Sequence, residues 1–127
     1  MSIEKIAKEN FFKWAEALKT KNSKIMAEFY SEDATFLPTL SPDFKYGATE
    51  AEEYFVHFLE KNPVAEIKEQ TTQALSDNIY LHSGMYDFEI GREGERQMVQ
   101  ARFSYVWKKD PSGKWKIIHH HSSLKPQ

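Results

Sequence analysis

Val99-Gln100-Ala101-Arg102-Phe103-Ser104-Tyr105-Val106-Trp107, the turn Asp110-Pro111-Ser112-Gly113, and then Trp115-Lys116-Ile117-Ile118-His119-His120-His121-Ser122 form the stretch whose reading decides the fold. Val99, Ala101, Phe103, Tyr105 and Trp107 alternate with the more polar Gln100, Arg102 and Ser104, which predicts a strand with one buried and one wetter face. A turn and a second β-rich run follow at once, so the two strands are expected to lie antiparallel. Working backwards, Ser76-Asp77-Asn78 and Gly91-Arg92-Glu93-Gly94 mark two more hairpin turns. Four strands are therefore predicted, at about residues 65–75, 79–90, 96–108 and 115–122.

The first half carries a different period. Ile3, Ile6, Ala7, Phe11, Trp14, Ala15 and Leu18 recur three and four apart, which predicts a helix over about residues 3–20. Asn22 or Ser23 can cap a short second helix with Ile25, Met26, Phe29 and Tyr30 on its buried side, closed by Ser31-Glu32-Asp33. Ala34-Thr35-Phe36-Leu37 reads as a short strand stopped by Pro38. The loop to Gly47 holds Leu40, Phe44 and Tyr46, side chains expected to pack over something. Thr49-Glu50-Ala51-Glu52 fits a capping box for a third helix over about 50–61, with Tyr54, Phe55, Phe58 and Leu59 as its apolar stripe and Asn62-Pro63 as its stop. Helices first and a meander last predict a single α+β domain, residues 1–127, with the helices on one face of a strongly curved antiparallel sheet. One helix cannot fill the concave face of such a sheet, so a conical cavity is the expected binding site.

Composition narrows the chemistry. The 127 residues are 40% hydrophobic and 14% aromatic, which excludes a disordered chain. Seventeen basic against 19 acidic side chains leave a net charge of −2, no footprint for a nucleic-acid backbone. There is no Cys, hence no disulfide, thiolate nucleophile or Cys-based zinc site. No apolar run approaches the roughly 20 residues of a membrane span, and residues 1–5 open no secretory signal, so a cytoplasmic protein without membrane contact is expected.

His119-His120-His121 does not make a metal site by itself, because strand alternation sends His119 and His121 to one face and His120 with Ser122 to the other. A metal would need a further ligand from His57, His82 or a carboxylate, so no metal and no cofactor is expected. Tyr80, Tyr86, Tyr105 and Arg102 can orient a polar or anionic ligand or serve as core tyrosines and a surface arginine. Asp87, if it faces inward, gains a raised pKa and the capacity of a general base; facing outward it is only solvated. No Gly-x-Ser-x-Gly elbow surrounds Ser122.

The run Arg102–Lys109, the turn Ser112-Gly113-Lys114 and the stretch Trp115–Ser123 resemble the association (hub) domain of calcium/calmodulin-dependent protein kinase II. With Tyr30–Ser41 and Tyr54–Leu59, the likeness is to the free-standing bacterial members of that family, within the nuclear transport factor 2 superfamily. The resemblance implies a cystatin-like cone and a non-catalytic module that assembles with itself, as a homodimer or a larger ring, and takes a small molecule. In the family that pocket is basic; its arginines fall at Met85, Tyr105 and Ser122 here, all replaced. The ligand-binding residues expected are Trp14, Met85, Asp87, Tyr105, His120 and Ser122, with an unidentified small molecule as partner and neither calmodulin nor a kinase. The alternative is an acid/base isomerase or dehydratase acting on a small carbonyl or polyketide-like compound through an inward His120 or Asp87.

Overall fold

The structure, a computed structural model, describes residues 2–127. Helix α1 spans Ile3–Leu18 and starts where Ser2 Oγ accepts from the Lys5 N–H. Its stripe buries Ala7, Phe11, Trp14 and Leu18. Asn22 caps the short α2, Ser23–Ala27, by accepting from the N–H groups of Lys24 and Ile25. Strand β1, Tyr30–Leu37, follows directly, so Tyr30 and Ser31-Glu32-Asp33 belong to a strand and not to the end of α2.

A two-residue strand β2, Lys45–Tyr46, leads into α3, Gly47–Phe58, and one 3-10 turn, Leu59–Lys61. The expected capping box at Thr49 does not form. The helix begins at Gly47, whose φ of 82° suits a residue without a Cβ, and the Glu50 carboxylate accepts from the Tyr46 N–H at 2.9 Å. Asn62 stops the segment in the left-handed region, at φ 53°. The meander then runs as β3, Val64–Ser76, β4, Ile79–Ile90, β5, Gln97–Lys109, and β6, Trp115–Leu124.

The six strands form one sheet in the order β2-β1-β6-β5-β4-β3. All pairings are antiparallel except one: β1 runs parallel to β6, with Phe36 opposite His120. Register breaks at Ile67/Glu69 and Ala74/Ser76 in β3, and at Val106/Trp107 against β6, bend the sheet around α1. The last break has a direct effect. Ile118 is the extra residue, which lets both Ile117 and His120 point into the core although they are three apart.

That core is aromatic. Trp14, Phe36, Phe55, Tyr80, Tyr86, Phe88, Phe103, Tyr105 and Trp107 are all at most 3% exposed. The loop after β1 behaves differently from expectation: Leu40, Phe44 and Tyr46 stay 46%, 59% and 57% exposed, because the loop is tied down through its backbone instead. The tie is the Tyr54 O–H, which donates to the Thr39 carbonyl at 2.8 Å. No helix of the described residues is long and apolar enough to cross a membrane.

Candidate functional site: a buried tyrosine–histidine row

Four elements deliver polar side chains to one buried line. α1 brings Trp14, β1 brings Tyr30, β4 brings Tyr86, and β6 brings His120 and Ser122, which alternation and the Ile118 bulge turn inward together. The Trp14 Nε1–H donates to Tyr30 Oη at 3.3 Å, and Tyr30 Oη lies 2.9 Å from His120 Nδ1. On the other side His120 Nε2 lies 3.1 Å from Tyr86 Oη, which donates to Ser122 Oγ at 2.6 Å.

Indole can only donate, so Tyr30 Oη accepts at that end of the row, and one consistent direction runs on from it. Tyr30 accepts from Trp14, which leaves its own proton free for His120 Nδ1. The imidazole then carries its proton on Nε2 and donates to Tyr86, whose proton serves Ser122. In this tautomer both tyrosine hydroxyls donate and the Ser122 proton is left over at the end of the row; the opposite tautomer leaves the Tyr30 proton over instead. The ring is also clamped from both sides: Phe36 stacks on it at 4.8 Å between centroids and Tyr105 at 4.1 Å. Burial holds the His120 pKa well below the ordinary value, and the phenols of Tyr30, Tyr86 and Tyr105 well above theirs. The row is therefore neutral throughout.

Of the six residues expected at the site, Trp14, Tyr105, His120 and Ser122 come together in the core. Met85 and Asp87 do not. The inward positions of β4 are Tyr80, His82, Tyr86 and Phe88, so Met85 and Asp87 point to the opposite face, across from Arg102 and Gln100. Asp87 is thereby removed as a base inside the cone. The expected hollow is also corrected: aromatic rings from α1, α3 and β1 fill it, leaving about 10 Å³ beside Thr39, Tyr54, Phe58, His120 and Ser122. That is room for about one water.

Tyr30, Thr39 and Tyr54 were not expected at the site. Tyr30 reads locally as the end of a helix, and only the parallel pairing with β6 brings it to His120. Thr39 is 3% exposed and its Oγ1 has no partner; the Tyr105 O–H, Trp107 Nε1 and His82 Nδ1 are likewise unpaired among the described residues. His82 Nε2 meets Gln70 Oε1 at 2.9 Å, and burial lowers this imidazole to about 4. Among the described residues no group of three His, Cys, Asp or Glu converges as a metal would require.

Two surface features flank the core. Outside the narrow cavity, a groove of about 200 Å³ lies between the loop and α3, lined by Leu40, Lys45, Tyr54, His57, Phe58 and Lys61. On the far side of the sheet, one row crosses all six strands: Tyr46, Thr35, His119, Val106, Leu81 and Gln73. Val106, Leu81 and the neighbouring Met85 are only partly covered there, and Thr35 Oγ1 holds His119 Nδ1 at 2.6 Å.

The comparisons agree with the fold. No curated protein matches the chain. A solved protein from Xanthomonas campestris, assigned to the calcium/calmodulin dependent protein kinase II association domain, is 35% identical with a TM-score of 0.94, covering 100% of this chain and 90% of its own. A domain with a cystatin-like fold from Nostoc punctiforme is 16% identical, TM-score 0.80, covering 100% and 81%. A Streptomyces avermitilis protein of the nuclear transport factor 2-like family, assigned as a dehydratase, is 12% identical, TM-score 0.81, covering 95% and 94%. The last two share the fold. The calcium/calmodulin dependent protein kinase II association domain family matches residues 5–126, and the chain belongs to that family.

Proposed function

We propose that the protein is a non-catalytic, homo-oligomerising module that pairs with a second copy through the uncovered face of its sheet. The observation that carries this reading is the contrast between the two faces. The concave face is packed with rings and keeps about 10 Å³, whereas the other face leaves Leu81, Met85 and Val106 partly exposed across its central strands. A broad face on which Leu81, Met85 and Val106 lie among Ser83, Ser104, Gln100 and Arg102 can meet its own copy about a two-fold axis. Family membership supports the same reading.

The rival reading, an isomerase or dehydratase, needs a base within about 3 Å of a substrate proton. His120 has both ring nitrogens engaged, by Tyr30 and Tyr86, and two stacked rings cover it. The structure thus favours assembly over turnover. Sedimentation velocity at micromolar concentration tests it. The wild type should sediment as a dimer or larger, and Val106→Arg as a folded monomer with unchanged circular dichroism. A wild-type monomer would remove the proposal.

A further inference from the structure

On the outer face of the sheet β6 presents two imidazoles in succession. His119 and His121 turn outward while His120 turns in, so both stand on one face, roughly 6.5 Å apart along the strand. His119 is half-buried and His121 exposed, and a charge on His121 is felt at His119. Thr35 Oγ1 lies 2.6 Å from His119 Nδ1. A threonine hydroxyl can accept the Nδ1 proton, and in that tautomer Nε2 keeps its lone pair for a second partner.

The place of this pair in the sheet matters as much as its chemistry. In the order β2-β1-β6-β5-β4-β3 the middle of the sheet falls between β6 and β5. At that seam His119 lies across from Val106 and His121 from Ser104, and both histidines are near the midpoint of β6, Trp115–Leu124. A two-fold axis through the middle of the face therefore sets the pair of one copy opposite the pair of the other. Ser104 and Ser83, both small, continue the row of His121. Neither row holds an Asp or Glu, and Arg102 stands one row further on, turned to Ser123 Oγ at 3.5 Å.

We infer that His119 and His121 of two copies together bind one transition-metal ion of the zinc class at the centre of the self-association face. One chain alone offers two ligands, and among the described residues no third His, Cys, Asp or Glu joins them. Two copies supply four imidazoles, the coordination number of a tetrahedral zinc site. An imidazole set without carboxylates suits zinc, copper or nickel, and not calcium or magnesium. Thr35 fixes the ring of His119 and the proton on its Nδ1, as the oxygen partners of metal-bound histidines do. The site rests on the self-association reading, because it is incomplete without the second copy.

The experiment titrates zinc, and cobalt as its coloured substitute, into the untagged full chain, with sedimentation velocity in parallel. Calorimetry should count one zinc for every two chains, and cobalt should take on the intense visible absorption of a four-coordinate ion. His121→Ala, at an exposed position, should keep its circular dichroism and lose at least roughly tenfold in zinc affinity. Thr35→Val leaves both imidazoles in place and should lose roughly ten- to hundredfold. His57→Ala removes an exposed imidazole on α3 and should change neither stoichiometry nor affinity. One zinc per chain, the pale spectrum of six-coordinate cobalt, undiminished affinity in His121→Ala, or no binding at about 100 μM zinc would each overturn the proposal. Sedimentation tells the failures apart. A chain that pairs in chelator and binds no zinc fails only here. One that is monomeric in chelator and pairs with zinc keeps the metal site and loses the reading that the face pairs unaided. A monomer under both conditions removes both.

Discussion

At His120 a side chain that ordinarily titrates near neutrality is kept uncharged by complete burial, two ring stacks and a hydroxyl at each nitrogen. Tyr30 is the most heavily used member of the row, accepting from Trp14 and donating to His120. Tyr30→Phe leaves one buried donor and one buried acceptor unpaired and should cost about 1–3 kcal/mol in urea unfolding. The histidines also predict a pH dependence. The unfolded chain takes up a proton on His82 near 6.5, the folded chain only near 4. Over that interval the unfolded state binds more protons, so stability falls as pH falls; buried His120 acts in the same direction. Unfolding free energies from urea titrations should be flat above about pH 7 and then drop by up to about 1.4 kcal/mol per pH unit for each histidine. A flat profile down to about pH 5 would contradict this assignment. Alternation made it legible that His120 and Ser122 share a face opposite His119 and His121; that this face is the inner one was not, because it depends on the bulge at Ile118. It could equally have excluded Met85 and Asp87, because Tyr86 and Phe88 claim the inward positions of β4. Met85 was included from likeness to a basic pocket that this chain has replaced with phenol, thioether and hydroxyl, and Asp87 as a carboxylate that would act as a base if it faced inward.

Among the elements, β3 and β4 approach each other unusually closely beside the first bulge. Gly84 sits there, and a Cβ on it would overlap the Glu69 carbonyl oxygen and come within 2.8 Å of the Gln70 Cα. Both are backbone atoms and cannot swing aside. Gly84→Ala should therefore destabilise by about 3 kcal/mol or more, read as a lowered thermal midpoint or loss of soluble protein. The meander itself was legible in the sequence, since three turn clusters separate four runs of β-branched and aromatic residues. The parallel β1–β6 contact was not, because nothing local in Ala34–Leu37 says which distant strand it will join. The same holds for α3: the Thr49–Glu52 spacing satisfies a capping rule, but Gly47 turns the chain earlier and Glu50 captures the free N–H first.

For the whole molecule, a face that meets its own copy would couple folding to association. If the folded chain binds a second copy and the unfolded chain does not, the thermal midpoint must rise with protein concentration. Calorimetry over about a hundredfold range of concentration should show that rise in the wild type and lose it in Val106→Arg. A midpoint indifferent to concentration would count against pairing. The strand order carries a consequence for how the molecule is made. β6 lies between β1 and β5 and is the last of the six strands to leave the ribosome, so during synthesis the early helices with β1 and the later hairpins are two half-sheets with raw edges toward each other. Until residues 115–124 emerge and wedge between them, the nascent chain has neither its buried imidazole nor a closed seam, and chaperones would find their client in that interval.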